Sequence, residues 1–188
     1  MDMANFTQKA IIQAFREILE DTSFDKITVT SIIAKCGISS NTFYYHFRDI
    51  YDLLDTWMQE EKDQFINNSS QGEAWQDILK AILNYVKENQ SIAENVLNSL
   101  SRDRLERYIF ESTDEGIYKI VCQEAAGRRV PEERLRDIAD FYRYALLGFF
   151  LKCIWNRMSF DIDESVDRLS VLFKGLIRQA IEDCPDEQ

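Results

Sequence analysis

One histidine, two prolines and six glycines in 188 residues are few, and the scarcities narrow what the chain can be. A single imidazole, His46, cannot complete a histidine metal cluster or supply a catalytic acid-and-imidazole constellation. Prolines and glycines punctuate the chain sparsely, and apolar residues recur at helical rather than alternating spacing, so an all-α fold is expected. The four cysteines (Cys36, Cys122, Cys153 and Cys184) lie far apart with no CxxC pair. That spacing argues against a disulfide framework and a zinc site, and predicts buried free thiols in a reducing compartment. No apolar run approaches the roughly 20 residues that a membrane span requires. The opening Met1-Asp2-Met3-Ala4-Asn5 is neither basic nor apolar, as a signal peptide would be, so a cytoplasmic location without a membrane partner is expected. There is no Gly-rich phosphate loop, and nothing singles out a carboxylate pair among the many acids. Neither an enzyme nor a cofactor is expected.

Cations are scarce too. The net charge of −11 opposes nucleic-acid binding at first sight, yet residues 1–50 carry five Lys/Arg against six Asp/Glu. A near-neutral N-terminal segment joined to an acidic body can still bind DNA if its few cations face phosphates.

What is present is a succession of amphipathic helices. Ile11, Ala14, Phe15, Ile18 and Leu19 form one stripe between Thr7 and Glu20, with Thr7 placed to cap the first turn. Ser23–Lys26 breaks it. Short helices follow from Thr28 to Gly37 and from Ser39 to Phe47, then a longer one from Asp49 to about Asn67. Asn68-Ser-Ser-Gln-Gly72 reads as a loop. Trp75, Ile78, Leu79, Ile82, Leu83 and Val86 mark the next helix, and Ser91-x-x-Glu94 reads as a capping box opening another through Leu100. Residues 102–126 are helical with a break near 112–116. Pro131 suits the first turn of a long helix ending near Met158, and Asp161 caps a last one to about Asp183. The expected domains are 1–48, a three-helix DNA-binding unit, and 49–188, a helical effector-binding and dimerisation unit.

The stretch from Thr28 to Phe47 carries the functional reading. Two short helices joined by a turn containing Gly37 have the spacing of a helix-turn-helix. Ile32, Ile33, Ile38, Phe43 and Phe47 can be buried. The second helix then exposes Ser40, Asn41, Tyr44, Tyr45 and His46, hydrogen-bonding groups suited to phosphates and base edges. An ordinary three-helix subdomain without DNA contact is the alternative.

Here the chain resembles the tetracycline-repressor (TetR) family of bacterial regulators. The resemblance rests on Thr42-Phe43-Tyr44-Tyr45-His46-Phe47 and the flanking helices, over residues 7 to about 60. The later half is similar in length, helicity and final helix pair. Phe141-Tyr-Arg-Tyr-Ala-Leu-Leu-Gly148, with Trp155 and Met158, resembles a subgroup that includes regulators of dihydroxyacetone kinase genes. The resemblance implies that Ser40, Asn41 and Thr42 face bases or nearby backbone and that Tyr44 and His46 lie at phosphates, with Ser39 and Tyr45 also among the DNA-binding residues. Thr28 and Thr30 would start the helix that meets the backbone. The family's phosphate-binding Lys at the start of the fourth helix is Ile50 here, for which Arg48 could substitute. A small residue usual in the second helix is Ile33.

In the body, Trp57, Tyr85, Phe110, Tyr118, Phe141, Tyr144 and Trp155 could line a ligand cavity or simply fill the core. Arg143, Lys152 and Arg157 could meet an anionic ligand or pair with acids such as Asp140. Gly148, Phe149, Leu151, Leu172, Leu176 and Ile177 are the expected dimer interface, built as a four-helix bundle. The reading is a regulator, a repressor by the family's commoner behaviour. Its expected partners are an operator in double-stranded DNA, a small-molecule effector and a second copy of the chain. An activator or co-regulator, or a helical interaction module that has lost DNA binding, stays open.

Overall fold

A computed structural model describes residues 3–68 and 74–183, with side chains from 5–64 and 74–183. The described chain is all-α, with ten α-helices and one 3-10 turn: α1 (Met3–Leu19), the 3-10 turn (Phe24–Lys26), α2 (Val29–Cys36), α3 (Ser40–His46), α4 (Ile50–Asn68), α5 (Trp75–Glu88), α6 (Gln90–Leu97), α7 (Arg102–Ser112), α8 (Asp114–Glu124), α9 (Glu132–Trp155) and α10 (Ile162–Glu182). The predicted loop at 68–72 falls, but for Asn68, outside the described residues, as does Cys184.

The chain forms two compact units that interleave in sequence. The first joins residues 1–72 to 88–100, and the second joins 73–87 to 101–188. The division expected at residue 48 therefore falls inside the first unit. The reason lies in the core. Leu53, Leu54 and Trp57 of α4, with Ile92 and Val96 of α6, pack into the cluster built by Ile11, Phe15, Leu19, Ile32, Phe43 and Phe47. Phe15 sits at its centre, its ring edge-on to Phe24 at 6.2 Å and to Trp57 at 6.0 Å. Phe24 is buried by the 3-10 turn, so the predicted break after α1 supplies a core residue.

The second unit buries Leu79 and Leu83 of α5 with Ile117 and Val121 of α8, Tyr142 and Leu146 of α9, and Val166, Phe173 and Ile177 of α10. Among the described residues, Arg143 is its one buried charged residue. Its guanidinium bonds Asp140 (2.6 Å), Asp114 (2.9 Å) and the Phe110 carbonyl at the end of α7 (2.9 Å), and lies over the Phe110 ring. A buried cation needs such pairing, and here it fixes the α7–α8 corner to α9.

Two expected caps do not form. α1 already begins at Met3, placing Thr7 within the helix. α6 begins at Gln90, placing Ser91 inside it, and Glu94 instead accepts from the Gln90 amide at 2.9 Å. Of the thiols, Cys153 is buried while Cys36 and Cys122 are only half-buried. α9 ends in consecutive left-handed residues, Arg157 (φ 48°) and Met158 (φ 52°). The Met158 N–H reaches back to the Cys153 carbonyl at 3.0 Å, closing the helix end, and the buried Met158 side chain anchors the strained turn.

Candidate nucleic-acid interface

The local sequence fixes α2 and α3 through their ends. The Thr28 N–H donates to Ser31 Oγ and the Ser31 N–H to Thr28 Oγ1, both at 3.1 Å, a reciprocal cap at the start of α2. Gly37 stops the helix with φ 66°, a conformation that a Cβ would strain. Ser39 Oγ accepts the Thr42 N–H at 3.1 Å and starts α3. Asp49 Oδ1 accepts the N–H groups of Tyr51 (2.8 Å) and Asp52 (2.9 Å), which starts α4. Thus α3 is clamped at both ends by short-range hydrogen bonds.

Packing then sets which way α3 faces. Phe43 and Phe47 are buried to within 2 % and touch at 5.7 Å. With that side pinned to α1, α2 and α4, the opposite side points out: Ser40 and Asn41 are exposed, Tyr44 is 58 % and Tyr45 77 % exposed. Ile32 is fully buried, while Ile33 and Ile38 are half-buried at the edge of the cluster.

The predicted contact residues fall into three groups. Thr30, Ser40, Asn41, Tyr44 and Tyr45 are exposed side chains. Thr28, Ser39 and Thr42 are engaged locally; Ser39 Oγ and Thr42 Oγ1 also share a hydrogen bond of 2.8 Å. His46 is half-buried, with the Tyr45 ring edge-on to it at 5.0 Å. Arg48 is highly exposed, but its guanidinium bonds Asp52 at 3.0 Å, and Asp52 also accepts the Arg48 N–H at 2.9 Å. The backbone and side-chain bonds hold the Asp52 carboxyl below its usual range, and the side-chain bond raises the Arg48 guanidinium above its own. Lys35, at the end of α2, is held by Glu17 of α1 at 2.9 Å.

The face is therefore neutral, polar and aromatic. Residues that sequence reading missed lie behind it. Arg16 of α1 donates to Asn89 Oδ1 (3.1 Å), Asn95 to the Leu19 carbonyl (2.9 Å) and Ser99 to Asp25 (3.2 Å). These bonds bind the α6 segment to the first unit across more than 70 residues, and no short-range pattern announces them.

The expected ligand-cavity set divides between the two units. Trp57 belongs to the core of the first unit, with its indole N–H donating to Glu61 at 3.1 Å. It borders an open cleft of about 490 Å³ between α1 and α4 that also presents Lys9, Gln13, Arg16 and Glu60. Phe141, Tyr144 and Trp155 are 64–71 % exposed on the second unit. Phe110 packs against Tyr144 with the rings tilted and 4.7 Å apart, Tyr118 lies under the Arg136 guanidinium, and Tyr85 is half-buried. The expected interface set also divides. Leu151 and Ile177 are buried in their own unit and Phe149 packs against its core, whereas Gly148, Leu172 and Leu176 are exposed. The physical reason is that α9 is apolar on more than one side, so spacing alone does not tell the inward stripe from the outward one.

A capped two-helix turn holding a polar helix outward from an apolar three-helix support defines a helix-turn-helix DNA-binding regulator. Two family models match the chain: "Bacterial regulatory proteins, tetR family" over residues 11–56, and "Transcriptional regulator C-terminal region" over residues 73–175, more than half of the chain. The chain belongs to the TetR family of transcriptional regulators, which are not enzymes.

Among similar proteins is the dhaKLM operon transcriptional activator DhaS of Lactococcus lactis, 29 % identical over 96 residues (51 % of this chain and 51 % of that protein). The class D tetracycline repressor of Escherichia coli is 31 % identical over 80 residues, 42 % of this chain and 37 % of that one. The matches thus span about half the length, or less, of these curated relatives. A solved structure of the dihydroxyacetone kinase operon activator DhaS superposes with a TM-score of 0.70 at 19 % identity, over 92 % of this chain and 97 % of that one, a likeness of fold. No helix among the described residues is long and apolar enough to cross a membrane.

Proposed function

We propose that the chain acts as a homodimer whose two α3 helices enter successive major grooves of one operator. A small-molecule effector in the second unit would shift the dimer between arrangements of different operator affinity. The observation that carries the DNA reading is the outward face of α3, with Tyr44 and Tyr45 exposed while Phe43 and Phe47 are locked in the core. Exposed aromatic area of this kind gains nothing in a monomer and suits a groove.

Support for pairing comes from α9 and α10. Phe141, Tyr144, Gly148 and Trp155 recur at helical spacing on one side of α9, and Leu172 and Leu176 on α10, all exposed. A Cβ at Gly148 would meet nothing within 4 Å, so that backbone is open to close approach by another helix. The aromatics first read as a cavity lining are in this reading interface residues. An effector site is supported by two polar atoms buried in the second unit that find no hydrogen-bond partner among the described residues, the Trp75 indole nitrogen and Gln76 Oε1. Each such orphan costs roughly 1–3 kcal/mol, which a ligand could recover. The α6 segment gives the transmission, because it packs in the first unit while both its ends continue into helices of the second.

The family's commoner outcome is repression. The likeness to a transcriptional activator, DhaS, favours activation as the second reading. Either way, purified protein should retard its own upstream DNA at low salt, and Tyr44→Ala should weaken binding to all duplexes alike. No retardation at micromolar protein, or retardation unchanged in Tyr44→Ala, would overturn the reading. Transcription from that DNA, with and without the protein, decides the direction.

A further inference from the structure

The recognition face is unusual in what it can say to a base. Guanine is most often read by Arg or Lys, paired to its O6 and N7. Neither residue type occurs in α3 (Ser-Asn-Thr-Phe-Tyr-Tyr-His) or in the first turns of α2. The nearest cations are committed elsewhere: Arg48 to Asp52, and Lys35 to Glu17. What α3 does offer is Asn41 and Tyr45, four residues apart and so neighbours on one exposed face. An Asn amide fits adenine, donating to N7 and accepting from the N6 amine, whereas guanine at that place would set its O6 acceptor against the amide oxygen. The edge of an aromatic ring is apolar and suits the C5-methyl of thymine. The Thr42 hydroxyl already shares a hydrogen bond with Ser39 Oγ.

We propose that this chain reads an operator whose specified half-site bases are A·T pairs, with Asn41 taking an adenine and Tyr45 lying against a thymine methyl beside it. The inference rests on α3 entering the major groove and adds the class of sequence that it selects.

Selection from randomised duplexes with the full-length protein tests it, followed by the same selection with Asn41→Ala, Asn41→Arg and Tyr45→Ala. These positions are exposed, and circular dichroism confirms that each variant keeps its helices. The expected result is an enriched half-site with adenine at one position, where Asn41→Ala lowers discrimination roughly 5- to 150-fold, the worth of one bidentate contact. Asn41→Arg should move that same position to guanine, and Tyr45→Ala should relax a neighbouring thymine. Guanine or cytosine selected by the native protein at the Asn41-dependent position would overturn the inference and leave the regulator reading standing. So would enrichment that Asn41→Ala does not alter. Failure to enrich any duplex would instead overturn the regulator reading itself.

Discussion

Replacing Leu172 by glutamate puts a charge where α9 and α10 are proposed to meet a second copy. Leu172 is 59 % exposed in the protomer, so pairing could remove rather more than half of its surface from water. Fully burying a leucine is worth about 1.5–3 kcal/mol, which leaves about 1–2 kcal/mol for this residue. Two-fold symmetry counts the loss twice, so the dimer forfeits about 2–4 kcal/mol before any carboxylate desolvation. At about 1.4 kcal/mol per tenfold, the dimer dissociation constant should rise roughly 30- to 1,000-fold. Sedimentation equilibrium over a range of protein concentrations reads this directly. Operator affinity should fall with it, because a monomer holds one half-site at a time. Because Leu172 is exposed in the protomer, unfolding of the isolated chain should shift by only about 0.5 kcal/mol. Ile177→Ala is the control. It faces the core of its own unit, and its cost of about 2–5 kcal/mol should appear in urea unfolding. A native chain that sediments as a monomer at tens of micromolar, or a Leu172→Glu dimer as tight as the native one, would refute the interface.

Asp52→Asn releases Arg48 from its intramolecular partner, so DNA binding should strengthen at low salt and its salt dependence steepen by about one phosphate contact; titrations at several salt concentrations measure both. Asn95→Ala removes the bond from α6 to the Leu19 carbonyl and should cost about 1 kcal/mol in urea unfolding of the first unit, consistent with a part-buried hydrogen bond. The Cys153 thiol is fully buried, and desolvation pushes it up to about 11. Alkylation of the native protein at pH 8, followed by mass spectrometry, should therefore leave Cys153 unmodified until denaturant is added, while half-buried Cys36 and Cys122 react before it.

The recognition motif was legible because its determinants are local. Thr28, Gly37, Ser39 and Asp49 act on backbone groups within five residues, so their types in order specify where α2, α3 and α4 begin or end. Phe43 and Phe47, four apart, mark the buried side of α3 and hence the exposed one. The same locality explains two errors. Thr7 and Ser91 have the residue type of a cap, but α1 and α6 extend past them, and capping preference is a weak prior against a helix that continues.

The sequence by itself determined that the chain is helical, where most helices lie, and which short helix presents polar and aromatic groups outward, since periodicity and capping act over a few residues. Tertiary structure alone decided that α6 joins the first unit and that Trp57 completes a core around Phe15. It alone decided that Phe141, Tyr144 and Trp155 point outward while Leu151 and Ile177 point in. Those outcomes depend on partners tens of residues away competing for the same apolar surface, and no local pattern records which partner wins.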